Sequence, residues 1–91
     1  MESSHRIEKI RLAIELSLKP ESLDIIDQSH RHAGHAGARD GRGHFDVRVV
    51  SDIFAGKLPL ARHRLVFAAV GDLLETDIHA LSIKALSPDE V

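Results

Sequence analysis

Apolar residues recur at helical spacing in two segments of the chain and alternate with polar residues in three others. In residues 4–18 the apolar positions at helical spacing are Ile7, Ile10, Ile14 and Leu18. Because charged residues occupy the opposite side, the pattern predicts an amphipathic helix packed on a core. Ser3 or Ser4 is expected to cap this helix, and Pro20 to end it by pushing Lys19 out of helical geometry.

The second helical segment covers residues 60–74. It follows Pro59, which suits a helix start because its missing N–H would have no helical partner there. Three strands are predicted, over residues 23–28, 44–51 and 78–85. Apolar and polar residues alternate most regularly in the middle strand. The predicted order of elements is therefore α-β-β-α-β.

This order determines which strands are neighbours. The first two strands are expected to pair antiparallel across a long connection. A strand, a crossover helix and a further strand imply a parallel, right-handed unit. The predicted fold class is α+β with two layers, a three-stranded mixed sheet and two helices on one of its faces. A chain of 91 residues has room for one modest core, so a single domain over residues 1–91 is expected.

Composition narrows the chemistry that is available. Cysteine is absent, which excludes disulfides, thiol catalysis and any metal site built from the chain's own thiolates. The net charge of −2 argues weakly against a dedicated nucleic-acid binder, since phosphate contacts need concentrated Lys and Arg. No apolar run approaches the roughly 20 residues of a membrane helix, and the N-terminus has no signal core. A cytoplasmic protein with no membrane partner is expected.

A histidine-rich segment, residues 29–44, has no helical or strand period and holds four of the seven histidines. His30, His32 and His35 are separated by small or flexible residues, so at least two of them can approach one metal ion. The segment completes no zinc motif such as H-E-x-x-H. From the residues alone it is either a solvated loop or a metal-binding loop.

His79 is the other conspicuous histidine, at the start of the third predicted strand. Alternation puts its side chain on the same face as Leu81 and Ile83, near the end of the sheet. The simpler interpretation is a partly buried histidine that is hydrogen-bonded to a backbone carbonyl, since buried polar groups usually find a local partner.

Arg62 and Arg64 lie in the first turns of the second predicted helix, on either side of His63. Cations beside the N-terminal amides of a helix can hold an anion or a nucleic-acid phosphate. The alternative is that the two arginines lie on a solvated face while His63 packs inward. Both interpretations of the arginines stay open at this point.

Five blocks of sequence resemble the BolA family, in the family's order and over nearly the whole chain. They are Asp27-Gln28-Ser29, His44-Phe45-Asp46-Val47-Arg48-Val49-Val50-Ser51, Phe54-Ala55-Gly56, Arg62-His63-Arg64-Leu65-Val66 and Ile78-His79-Ala80-Leu81-Ser82-Ile83. Together the blocks are specific, whereas Arg-His-Arg alone is not. The resemblance implies a class II KH-like topology, which agrees with the predicted order of elements.

The resemblance also implies a function. By its resemblance to BolA-like proteins, the chain is expected to be a non-enzymatic adaptor. Such an adaptor binds a monothiol glutaredoxin and shares a [2Fe–2S] cluster with it, in iron–sulfur trafficking or iron regulation. The resemblance implies that His79 is one cluster ligand and that a loop histidine is another. The loop ligand is His35 when the family pattern is aligned without a gap, and His32 when a gap is placed in the loop. Histidines can replace two thiolates on one iron of such a cluster. A chain without cysteine then has to take its thiolates from glutaredoxin and glutathione.

Two other functions stay open. Some BolA-like proteins are DNA-binding transcriptional regulators, for which Arg62, Arg64 and Lys57 are the candidate phosphate contacts in this chain. A plain divalent-metal binder would use the loop histidines without any partner protein. The free form is expected to be a monomer or a weak homodimer.

Overall fold

The elements follow one another in the order that the apolar pattern predicts. The structure, a computed structural model, describes residues 3–28 and 43–91. Its helices and strands are α1 (Ser3–Leu18), β1 (Ser22–Asp27), β2 (Gly43–Val50), α2 (Pro59–Val70), α3 (Leu73–Thr76) and β3 (Ile78–Leu86). Two short 3₁₀ turns, Asp52–Phe54 and Pro88–Glu90, follow β2 and β3.

The three strands form one mixed sheet in the order β1-β2-β3. β1 runs antiparallel to β2, with Leu23 opposite Val49 and Asp27 opposite Phe45. β3 runs parallel to β2 along its whole length. The predicted α+β fold with a three-stranded mixed sheet is confirmed, and so are the strand directions.

The core lies between one face of the sheet and the helices α1 and α2. Its fully buried members include Ile10 and Ile14 of α1, Phe45 and Val49 of β2, and Val66 of α2. In β2 buried and half-buried residues alternate, as expected for a strand with one face on a core. The opposite face of the sheet carries polar side chains: Asp24, Asp46, Arg48, Ser82 and Lys84.

The second helix is shorter than predicted. α2 ends at Val70 because Gly71 adopts a φ of +49°, and the Gly71 N–H donates to the Phe67 carbonyl at 3.0 Å. A glycine at this position closes a helix at little cost, since it has no Cβ to clash in left-handed geometry. Leu73 still packs against the core from the short α3. This explains why the apolar pattern continues past the break.

The first helix begins slightly earlier than predicted. Ser3 and Ser4 lie inside α1, so the prediction that one of them caps it is wrong. Lys19 takes a positive φ of 46° directly before Pro20, and its N–H donates to the Glu15 carbonyl at 3.2 Å. The proline therefore ends the helix where predicted. Among the described residues, no helix is long and apolar enough to cross a membrane.

Candidate functional site

A β-bulge at the start of β3 determines where the His79 side chain lies. Gly43 of β2 is opposite Ile78, but the next residue, His44, is opposite Ala80, so His79 is the extra residue. Ile78 is buried with 1% of its surface exposed, whereas His79 is exposed. A bulge breaks the two-residue period of a strand and re-aims one side chain. The prediction that His79 shares a face with the core-packed Leu81 is therefore wrong.

Both ends of the histidine-rich segment are held at the end of the sheet where His79 lies. On the upstream side the Gln28 N–H donates to the His44 carbonyl at 2.7 Å, and on the downstream side the Gly43 N–H donates to the Asp77 carbonyl at 2.9 Å. The 14 residues between Gln28 and Gly43, residues 29–42, lie outside the described residues. They include His30, His32 and His35. The fold therefore anchors this segment within one or two residues of the bulge.

Beside the bulge, the Asp77 carboxylate links β3 to α1. Asp77 is buried, with 2% of its surface exposed. Its Oδ2 lies 3.3 Å from Lys9 Nζ and 3.8 Å from Arg6 Nε, and the Thr76 hydroxyl donates to Oδ1 at 2.6 Å. Burial by itself raises the pKa of the Asp77 carboxyl, but these hydrogen bonds and cations outweigh it and hold the pKa below its ordinary value. Asp77 is therefore ionised at neutral pH.

His44 takes part in a polar network on the open face of the sheet. Its Nε2 lies 3.3 Å from Ser82 Oγ and 3.7 Å from Asp46 Oδ1, while the Gln28 amide donates to Asp46 Oδ2 at 3.0 Å. A Ser-His-Asp relay needs the serine and the carboxylate on different ring nitrogens. Here both face the same nitrogen, so the geometry is not that of a catalytic triad. The network joins β2 to β3 and to Gln28, the residue after β1, and sequence reasoning missed it.

Arg62 is engaged by the chain itself. Its guanidinium donates to the Glu90 carboxylate at 2.6 and 3.0 Å and to the carbonyls of Lys57 and Ala85 at 2.7 and 2.9 Å. Only 11% of its side chain is exposed. These contacts tie the start of α2 to β3 and to the C-terminal 3₁₀ turn. Of the three predicted phosphate contacts, Arg64 and Lys57 are exposed and Arg62 is not.

Acid is expected to weaken the pairing of Glu90 with Arg62. Hydrogen bonds from Arg62, and then from the Ser87 N–H, lower the pKa of Glu90 to about 2 from an ordinary 4.5. Because the folded-state pKa is the lower one, the contribution to stability is complete above about pH 4.5 and is lost as the pH falls towards 2. Urea unfolding at stepped pH should therefore show a shallower acid loss of stability in Glu90→Gln than in the wild type.

The matched control for this measurement is Glu75→Gln, the same change at an exposed position of α3. It is expected to follow the wild-type pH profile. Parallel profiles for Glu90→Gln and the wild type would show that the pairing contributes nothing to acid stability.

No group of three His, Asp or Glu side chains within residues 3–28 and 43–91 is placed to hold a metal ion. A metal site of three or more ligands that includes His79 therefore draws ligands from residues outside these two ranges or from another molecule. Imidazole from His79 and the loop histidines is a suitable donor for iron and zinc. The donor set of the chain thus fits part of a metal site.

Comparison with known proteins agrees with the sequence blocks. The family profile described as BolA-like protein matches residues 14–90. The chain belongs to the BolA family. The BolA domain of SufE1 from Arabidopsis thaliana superimposes with a TM-score of 0.82 at 41% identity, each chain being covered completely.

Two curated relatives show the range of proteins that contain this BolA domain. SufE-like protein 1, chloroplastic/mitochondrial, from Arabidopsis thaliana is 46% identical over 88 residues, which are 91% of the present chain. The match covers only 24% of that relative's length. The DNA-binding transcriptional regulator BolA of Escherichia coli is 36% identical over 76 residues, covering 84% of the chain and 70% of the relative.

Proposed function

We propose that this BolA domain is a non-enzymatic adaptor that shares a [2Fe–2S] cluster with a monothiol glutaredoxin, in iron–sulfur trafficking or iron regulation. One observation carries the proposal: the bulge presents His79 at the end of the sheet where the histidine-rich segment leaves β1 and enters β2. The segment's His35 or His32 is then within the chain's reach of His79. Two imidazoles from one protein are a donor set that a [2Fe–2S] cluster accepts.

The missing thiolates explain why the proposal needs a partner. A [2Fe–2S] cluster takes four ligands besides its sulfides, and two histidines can replace the two thiolates on one iron. The chain has no cysteine, so the remaining two ligands have to be thiolates of another molecule. Glutaredoxin and the glutathione that it binds supply them in the proposed complex. When bound, the cluster provides electron storage and can be passed on to a recipient protein.

The proposal is tested by mixing the purified protein with a cluster-loaded monothiol glutaredoxin. We expect co-elution on size exclusion and a change in visible circular dichroism, because a new ligand on iron alters the charge-transfer bands. His79→Ala should abolish the dichroism change. His63→Gln is the matched control, a histidine of α2 away from the bulge, and should behave as the wild type. Unchanged spectra with wild-type protein would refute the shared cluster.

DNA binding is the second candidate function, favoured by the similarity to the DNA-binding transcriptional regulator BolA of Escherichia coli. The sequence also holds one G-x-x-G spacing, from Gly34 to Gly37, the pattern with which KH domains clamp a nucleic-acid backbone. Against it, Arg62 is occupied by Glu90, which leaves Arg64 and Lys57 as exposed cations among the three candidates. Titration with duplex DNA at rising salt separates this function, since phosphate contacts weaken steeply with salt.

A further inference from the structure

We propose that Asp77 is a positioning residue for His79. Its buried carboxylate is paired with Lys9 and Arg6 of α1, and this pairing fixes the bulge that presents the imidazole. The inference deepens the proposed function and rests on it, because the imidazole of His79 is a cluster ligand only in that function. Asp77 itself touches neither a metal nor a partner in this proposal. Its role is to hold the backbone from which His79 projects.

Two main-chain hydrogen bonds hold Asp77 in place. Its N–H donates to the Leu73 carbonyl at 2.8 Å and so closes α3, while its carbonyl accepts from the Gly43 N–H at 2.9 Å. Asp77 is thus the point where α3, β2 and β3 meet. Ile78 follows it, 1% exposed and packed in the core, and the bulged His79 comes next. The backbone is therefore anchored on the N-terminal side of the imidazole by two consecutive buried residues.

The side chain adds a third anchor, on α1. Lys9 Nζ donates to Asp77 Oδ2 at 3.3 Å, Arg6 Nε lies 3.8 Å from the same oxygen, and the Thr76 hydroxyl occupies Oδ1 at 2.6 Å. The Lys9 and Asp77 partners are 68 residues apart in sequence. A buried carboxylate is tolerated only when it is paired and hydrogen-bonded, so these contacts hold one another in place. Loss of the charge releases α1 from the start of β3 and relaxes the bulge.

Such anchors matter at a bulge, because the regular ladder of the strand pair is interrupted there. On the C-terminal side Ala80 is already paired with His44 in the regular register. A shift of the bulge by one residue would restore simple alternation and turn His79 towards the face of Leu81. Asp77 opposes that shift, since its carbonyl is bonded to Gly43 and its carboxylate to Lys9.

The first test uses the free protein and needs no cluster. We expect Asp77→Asn, which keeps the shape and the hydrogen bond to Thr76, to move the ¹H–¹⁵N resonances of His79 and Ala80. The amide of Gly43 should exchange with solvent about tenfold faster than in the wild type, because its acceptor is less firmly held. Asp24→Asn is the matched control: it removes an exposed carboxylate 3.9 Å from Arg48 on the open face of the sheet.

The second test uses the complex with cluster-loaded glutaredoxin. Chelator-driven loss of the cluster should be about tenfold faster with Asp77→Asn than with the wild type, the lower end of what supporting residues around a metal site contribute. Its visible circular dichroism should differ in shape from the wild-type complex. Asp24→Asn should match the wild type in both measurements.

The outcomes separate the two proposals. If the wild type forms no shared cluster, the proposed function fails, while the amide measurements still decide whether Asp77 fixes the bulge. If Asp77→Asn leaves the His79 resonances, the Gly43 exchange and the cluster loss unchanged, the inference is overturned. If Asp77→Asn does not fold, Lys9→Met replaces it as the milder change, because it leaves Arg6 beside the carboxylate. If Lys9→Met then shows the wild-type His79 resonances, Gly43 exchange rate and rate of cluster loss, the inference is overturned.

Discussion

Phe54→Ala is expected to destabilise the protein by about 3–5 kcal/mol, the usual cost of truncating a fully buried phenylalanine. Phe54 has no exposed surface and packs into the core from the 3₁₀ turn between β2 and α2. A domain of this size has a total stability of about 5–15 kcal/mol, so the change removes a large part of it. The other fully buried ring, Phe45, cannot move to fill the space because it is held in the central strand β2.

Urea unfolding followed by far-UV circular dichroism measures this effect. Phe67→Ala is the matched control, the same truncation on α2 at a position where 39% of the surface is exposed. It is expected to cost no more than about 1 kcal/mol, since surface substitutions rarely have large effects. Equal losses in the two variants would contradict the assignment of Phe54 to the core. A loss below about 1 kcal/mol in Phe54→Ala would do the same.

The fold was predictable because the spacing of apolar residues along a helix or strand shows which of its faces packs against the core. The alternation of β2 and the helical stripe of α1 specified both elements to within a residue or so. The end of α2 was not predictable in the same way. Gly71 breaks the helix, but Leu73 continues to pack inward from α3, so the apolar pattern passes over the break.

The candidate site was predictable only in part, for a physical reason. His79 stands out as a histidine at a strand start, but the apolar pattern does not reveal the bulge, so alternation places its side chain on the wrong face. Contacts between residues far apart in sequence were equally invisible. The pairing of Arg62 with Glu90 spans 28 residues and that of Lys9 with Asp77 spans 68. Such partners are brought together by the tertiary fold and not by local pattern.

The division of chemistry between loop and sheet follows from these contacts. In the proposed complex one imidazole comes from the histidine-rich segment. The hydrogen bonds made by the Gln28 and Gly43 amides hold the two ends of this segment at the end of the sheet. In the proposed complex the second imidazole is that of His79 at the start of β3, two residues after Asp77, whose carboxylate is bonded to Lys9 of α1. In the proposed complex, His79 and one loop histidine would complete the ligands of an iron that the partner's thiolates already hold, and two imidazoles are too few to assemble a [2Fe–2S] cluster alone.

His79→Cys is expected to keep the shared cluster and to lower its reduction potential. A thiolate carries a negative charge where the neutral imidazole carries none, so the oxidised, less negative cluster is favoured. Clusters with two histidines lie several hundred millivolts above those with cysteine alone, so one replacement should lower the potential by on the order of 100 mV. A potentiometric titration of the complex with glutaredoxin, read by visible circular dichroism, measures this shift. His63→Cys introduces the same thiol on α2 and should leave the potential at its wild-type value, whereas His79→Ala should give no cluster-sharing complex to titrate. A His79→Cys complex with the wild-type potential would show that the imidazole of His79 does not bind the iron, because a ligand cannot change its charge without changing the energy of the electron that the cluster accepts.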